Sequence, residues 1–158
     1  MNIKINLMNY AINYLSKYNS SKKNLERVLK NKIARSNIEK KIKYDLYNSI
    51  SEIITTIENN KLIDDNVYTL SKIRSYANQG KSKLFIKNYL LQKGVDKNVI
   101  SNSIETYQNQ NPNWEIESAI IFINKKKLIK SSENYQKNLN KMSRAGFIYE
   151  ICKNILKN

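Results

Sequence analysis

The chain has 158 residues and a mass of 18.6 kDa, and its 28 Lys and Arg against 13 Asp and Glu give a formal net charge of +15. It contains no His and a single Cys, Cys152, which excludes a Cys/His zinc site, an internal disulfide and any catalytic arrangement that uses imidazole as base. Three Gly and one Pro are too few for the turns of an all-β protein, so the expectation is an all-α chain of one domain with an acidic or polyanion-associated partner. Lys outnumbers Arg by 24 to 4, a skew that an A/T-rich coding sequence also produces, so composition accounts for part of the basicity.

The first residues, Met1-Asn2-Ile3-Lys4-Ile5-Asn6, interleave polar with apolar side chains and lack the apolar run of a signal peptide. Nothing downstream approaches the roughly 20 apolar residues that span a bilayer. With the lone Cys, this predicts a cytoplasmic protein without membrane contact.

Apolar residues recur at helical spacing from Leu7 through Ala11, Ile12 and Leu15, and again through Leu25, Val28, Leu29 and Ile33. Ser36-Asn37-Ile38-Glu39 has the form of a capping box and predicts the start of a third helix through Ile42, Leu46, Ile50, Ile53, Ile54 and Ile57. The period lapses at 59–63, and the carboxylates of Asp64 and Asp65 suit the start of a fourth helix that stops near Gly80. A fifth runs from Ser82 through Phe85, Ile86, Leu90 and Leu91 and ends where Gly94 can adopt a left-handed conformation. Asp96 caps a sixth through Val99, Ile100, Ile104 and Tyr107. Asn111-Pro112-Asn113 breaks the chain, with Asn113 as cap of a seventh helix carrying Ile116, Ala119, Ile120, Phe122 and Ile123. Ser131-Ser132-Glu133 restarts the pattern through Tyr135, Leu139 and Met142 to Gly146, and a ninth helix carries Ile148, Ile151, Ile155 and Leu156.

Nine helices fall into three sets of three. Leu90-x-x-Lys93-Gly94-Val95 and Met142-x-x-Ala145-Gly146-Phe147 share one spacing, which Leu29-x-x-Lys32-Ile33 echoes without the Gly. The expected architecture is a tandem array of three-helix units, about 1–60, 61–111 and 112–158, elongated and curved. A single compact bundle is the competing arrangement.

Few motifs suggest chemistry. Gly80-Lys81-Ser82 imitates the end of a phosphate-binding loop, but the earlier Gly of that motif is Ser75 here and no strand precedes it. Capping explains Asp64 and Asp65 better than metal binding or acid–base work. No catalytic residue, metal ligand or cofactor is expected. The basic runs are Lys125-Lys126-Lys127 with Lys130, and Lys81, Lys83 and Lys87; either could be simply a solvated face. The eleven Tyr read mainly as core filling rather than as stacking platforms, and Cys152 as a buried inert thiol.

At the second repeat the chain resembles the bacterial RecX regulators of the RecA recombinase. The residues that carry this are Leu62-Ile63-Asp64-Asp65-x-x-Tyr68, Ile73-Arg74-Ser75, Gly80, Ile86-Lys87, Leu90 and Lys93-Gly94-Val95. The first repeat agrees through Ala11, Tyr14-Leu15, Ser21, Leu25 and Leu29, and the third through Ala119, Arg144, Gly146-Phe147 and Ile151. The sequence departs from the family pattern at Ser82, where a second Gly is usual, at Phe85 and Tyr89, where Arg and Glu are usual, and at Ala145, where Arg is usual.

The resemblance implies a non-enzymatic protein that lies along the helical groove of the RecA filament on single-stranded DNA; the further expectation is a monomer, with weak direct DNA binding allowed. There it would oppose filament extension, ATP hydrolysis, strand exchange and coprotease activity, which places it in recombination, DNA repair and the SOS response. The basic residues expected to face the filament are Arg74, Lys81, Lys83, Lys87 and Arg144, with Asp64, Asp65, Tyr68, Gly80, Gly94, Gly146 and Phe147 holding the fold. Direct nucleic-acid binding without RecA is the alternative, although four Arg provision sequence-specific reading poorly. A helical-repeat adaptor for another protein is a third.

Overall fold

The computed structural model describes residues 3–157, with side chains from Asn6 onward, so the reading of Met1–Ile5 falls outside the described side chains. Among the described residues the chain forms nine helices and no strand. These are α1 (Ile3–Leu15), α2 (Lys22–Arg35), α3 (Lys40–Asn59), α4 (Asp65–Ala77), α5 (Lys83–Gln92), α6 (Lys97–Gln110), α7 (Trp114–Lys126), α8 (Tyr135–Arg144) and α9 (Tyr149–Lys157). None is long and apolar enough to cross a membrane.

The chain divides into two compact units, one running to Tyr68 and including Lys93–Val95, the other comprising Thr69–Gln92 and the chain from Asp96 onward. In the first, α1, α2 and α3 pack on one another around Leu7, Ala11, Leu25, Leu29, Ile33, Leu46, Ile50, Ile53, Ile57 and Ile63. The spacing of these residues puts them on one stripe of each helix, and each fully buried Leu or Ile contributes roughly 1.5–3 kcal/mol. In the second, α7, α8 and α9 enclose Ala119, Ile123, Leu128, Met142, Phe147, Cys152, Ile155 and Leu156. The Cys152 thiol is fully buried and burial pushes its pKa up, so it stays protonated and inert.

Four helices end in one hydrogen-bonded motif, in which the residue after the cap is left-handed and the next amide reaches back five residues. On α8, Gly146 N–H donates to Ser143 O at 2.9 Å and Phe147 N–H to Met142 O at 3.2 Å. On α4, Gly80 N–H donates to Ala77 O and Lys81 N–H to Tyr76 O, both at 3.0 Å. The ends of α3 and α7 repeat this with lysine in the left-handed place: Lys61 has φ 56° and Lys127 has φ 50°. Gly94 and Gly146 have φ 74° and 92°, as their places after α5 and α8 predict.

Several local expectations fail for identifiable reasons. Ser36 does not open a capping box, because its hydroxyl donates to Ile33 O at 2.6 Å and closes α2; α3 begins after Glu39 without a side-chain cap. Asn113 precedes α7 but makes no capping bond. The stretch Leu29-x-x-Lys32-Ile33 lies inside α2, which continues to Arg35, and is not a helix end. Ile12, Ile120 and Ile148 fall beside their stripes and are 41%, 46% and 58% exposed. Only Tyr68 and Tyr107 among the tyrosines are buried; Tyr18, Tyr44, Tyr47 and Tyr149 are exposed.

Candidate partner-binding surface

The second helix of a three-helix set starts in the same way twice. Ser21 caps α2 by accepting the Asn24 N–H at 3.2 Å, and its own hydroxyl donates to Lys93 O. The Lys22 N–H donates to Asp65 Oδ1 at 2.8 Å. In the other unit Ser82 caps α5 by accepting the Phe85 N–H at 3.1 Å and donates to Ala145 O at 2.7 Å, and the Lys83 N–H donates to Glu115 Oε1 at 3.0 Å. Each helix start is thus closed by a carboxylate from the first turn of the following set and by the carbonyl that precedes that set's glycine. The glycines fit because nothing larger can: a Cβ on Gly94 would lie 2.4 Å from Lys23 Cβ, and one on Gly146 would lie 2.6 Å from Ser82 Oγ.

This arrangement divides the work of the two acidic residues read together as a cap. Asp64 caps α4, its Oδ1 accepting Asn66 N–H at 2.7 Å and Val67 N–H at 3.2 Å. Asp65, the first residue of α4, caps α2 instead. Burial pushes the carboxyls of Asp65 and Glu115 above their ordinary range, and the amide bonds from Lys22 and Lys83 only partly oppose this. Tyr68 is buried one turn further along α4.

The fragment Gly80-Lys81-Ser82 therefore joins two helices: Gly80 ends α4 and Ser82 begins α5. A Cβ on Gly80 would stand 2.9 Å from the Phe122 amide nitrogen, so α4 ends directly against the backbone of α7. Ser118 donates to Lys81 O at 2.7 Å and fixes the linker further.

The basic residues stand around this joint on different sides. Lys83 is exposed at the start of α5, and Lys87 lies one turn on. Arg144 is exposed in the last turn of α8; its neighbour Ala145 is bonded to Ser82, which brings Arg144 to the start of α5. Lys81 is half-buried, its Nζ 4.6 Å from the centre of the Phe85 ring. Arg74 is exposed in the last turn of α4, where it complements the helix dipole. Tyr76, two residues on and so about 200° around the helix, turns towards α5, which directs Arg74 to the other flank. In the other lysine run, Lys125 donates to Gln79 O at 3.2 Å and Lys127 serves as the left-handed end of α7.

Sequence reasoning missed an aromatic group beside these charges. The Tyr76 ring lies 5.5 Å from Phe85 and 4.8 Å from Tyr89, both edge-on. Burial, together with a hydrogen bond between the two phenols, pushes Tyr76 up to about 12. The spacing of Phe85 and Tyr89, one turn apart on a helix, was the available signal. Among the described residues no three His, Cys, Asp or Glu side chains gather as metal ligands do.

Known proteins share these features. Residues 64–104, from the cap of α4 into α6, match the second three-helix domain of RecX. The Regulatory protein RecX of Myxococcus xanthus (strain DK1622) is 27% identical over 163 residues, covering 95% of this chain and 83% of that protein. That of Bacillus mycoides (strain KBAB4) is 30% identical over 128 residues; the match takes in 80% of this chain but only 40% of the longer Bacillus protein. The crystal structure of RecX from Lactobacillus salivarius superposes with a TM-score of 0.72 at 25% identity, covering 98% of this chain and 94% of that one. A second crystal structure of a regulatory protein RecX shares the fold at a TM-score of 0.71 and 18% identity. Residues 64–104 thus match the second three-helix domain of RecX, within a chain that is similar to RecX proteins in sequence and fold along nearly its whole length.

Proposed function

We propose that the protein is a non-enzymatic regulator that binds, as a monomer, the RecA nucleoprotein filament and opposes its extension, ATP hydrolysis, strand exchange and coprotease activity. The observation that carries this reading is the RecX domain at residues 64–104, which includes Arg74, Lys81, Lys83 and Lys87. Supporting it, a formal charge of +15 favours association with a DNA-containing partner, and α5 carries Lys83 and Lys87 with no acidic residue. Arg74, Lys81, Lys83, Lys87 and Arg144 are the proposed contacts. Their different directions mean that they would meet more than one wall of a groove. Binding there would occlude the filament rather than modify it chemically.

The experiment is co-sedimentation with RecA filaments on single-stranded DNA, paired with RecA ATPase, using wild type, Arg74→Glu, Lys87→Glu and the Lys125/Lys126/Lys127→Gln triple variant. The reading expects weaker filament binding and weaker inhibition for the two reversals, and near wild-type behaviour for the triple variant. Inhibition lost only in the triple variant would place the surface elsewhere. Equal binding to naked single-stranded DNA, with no effect on ATPase, would replace the reading with direct nucleic-acid binding.

A further inference from the structure

The α5 helix, Lys83-Leu84-Phe85-Ile86-Lys87-Asn88-Tyr89-Leu90-Leu91-Gln92, buries one apolar side, and its solvent side sets Leu84 and Phe85 among the polar residues Lys83, Lys87, Asn88 and Gln92. Here Ile86 and Leu90 are buried and Tyr89 and Leu91 half-buried, but Leu84 is 51% and Phe85 37% exposed. Adjacent residues on a helix stand about 100° apart, so these two share one outward face. That face is stiffly backed. Tyr76 braces Phe85 and Tyr89 edge-on, Ser82 fixes the first turn to Ala145, and Glu115 holds the Lys83 amide.

Resting on the function proposed above, we infer that this outward face of α5 is the apolar centre of the protein–protein contact, with Lys83, Lys87 and Arg144 as its basic rim. The partner surface that fits is proteinaceous, an apolar recess bordered by carboxylates. Charge supplies the first argument: α5 has no acidic residue, and the one carboxylate at its start, Glu115, is committed to the Lys83 amide. An apolar centre ringed by cations is the common anatomy of a protein interface with an acidic partner. Nucleic acid fits this face less well. A base stacks on an open ring face, but the Lys81 ammonium lies over one face of the Phe85 ring at 4.6 Å, Tyr76 packs against that ring in a T-shaped pair, and Leu84 offers no ring at all. Ordered, braced aromatic side chains lose little conformational freedom on binding, which favours them as anchors.

The test compares wild type with Leu84→Ser/Phe85→Ser and with Lys83→Gln/Lys87→Gln, reading co-sedimentation with RecA filaments and fluorescence anisotropy with a free dT oligonucleotide across a salt series. Helix content and melting temperature are read for each, and Leu84→Ser alone serves if the double variant melts early. The inference expects the apolar variant to lose about 30-fold or more in filament affinity with an unchanged salt slope. Its oligonucleotide affinity should stay within about twofold. The lysine variant should flatten the salt slope. Unchanged filament affinity in a folded apolar variant overturns the inference while leaving the proposed function standing. A parallel loss of oligonucleotide binding overturns it in favour of nucleic acid. If wild type itself fails to bind filaments, both readings fall.

Discussion

The joint at Ser82 and Gly146 allows a quantitative test of how the second unit is held together. Changing Gly146 to Ala places a side chain at φ 92°, outside the comfortable range of an L-residue, at a cost of about 1–2 kcal/mol. The new Cβ also falls 2.6 Å from Ser82 Oγ and 3.2 Å from Leu84 Cβ. Relieving the closer contact pushes the hydroxyl away from Ala145 O and the Phe85 N–H, its two partners, and forfeits a cap and a hydrogen bond worth together about 1–2 kcal/mol. The full change should therefore cost about 2–4 kcal/mol. Ser82→Ala alone should cost about 1–2 kcal/mol by losing the same two interactions. Because Gly146→Ala already disrupts them, the double variant should be more stable than the sum of the single changes predicts, by about 1 kcal/mol or more. Urea denaturation of the four proteins reads this cycle directly. If the two changes add within about 0.3 kcal/mol, Ser82 is not coupled to Gly146 and the reasoning fails.

Other perturbations follow from the same structure. Asp65 and Glu115 have raised folded-state pKa values, so the folded chain holds their protons more tightly, and their contribution to stability falls as pH rises from the ordinary carboxylate values of 3.8 and 4.5 through the raised ones. Asp65→Asn and Glu115→Gln keep an acceptor for the amide and should flatten that part of a stability–pH curve; an unchanged curve would count against it. Glu26 behaves oppositely. Hydrogen bonds from Lys23 and Lys30 lower its pKa, so its contribution is present above 4.5 and is lost as pH falls through the folded value, a loss that Glu26→Gln should abolish in acid titration. Lys61→Gly and Lys127→Gly remove a strained left-handed lysine and should each raise stability by up to about 1 kcal/mol in thermal melts, rather than lower it as Gly in a helix does. Thr69 is fully buried with an unpartnered hydroxyl, so Thr69→Val should hold or raise stability, by about 1 kcal/mol at most.

How much of this was legible depended on whether a residue's local chemistry had one outcome. Asp96 could only cap α6, Gly94 and Gly146 announced left-handed helix ends, and Gly80 marked where α4 stops. Ser36 had two outcomes, because the hydroxyl that could open α3 could equally close α2, and the nearer Ile33 carbonyl took it. Lys61 and Lys127 gave no sign of left-handed geometry, since lysine lacks the freedom that marks glycine for that place. Asp65 was legible as a cap but not as a cap for α2, a helix more than forty residues earlier, because nothing local encodes that approach. The basic residues were legible by type but not by direction. Tyr76 decides where Arg74 points, and that followed only from seeing its ring against Phe85 and Tyr89.

The proposed regulation of RecA is tested most directly by titrating the purified protein into RecA filaments assembled on single-stranded DNA with ATP and following phosphate release and sedimentation together. The account predicts that the protein sediments with the filament well beyond any weak association with DNA alone and that ATP hydrolysis falls as the protein occupies it. Raising salt should weaken both effects. Equal sedimentation with the DNA alone, or an ATPase rate unmoved at saturating protein, would contradict it.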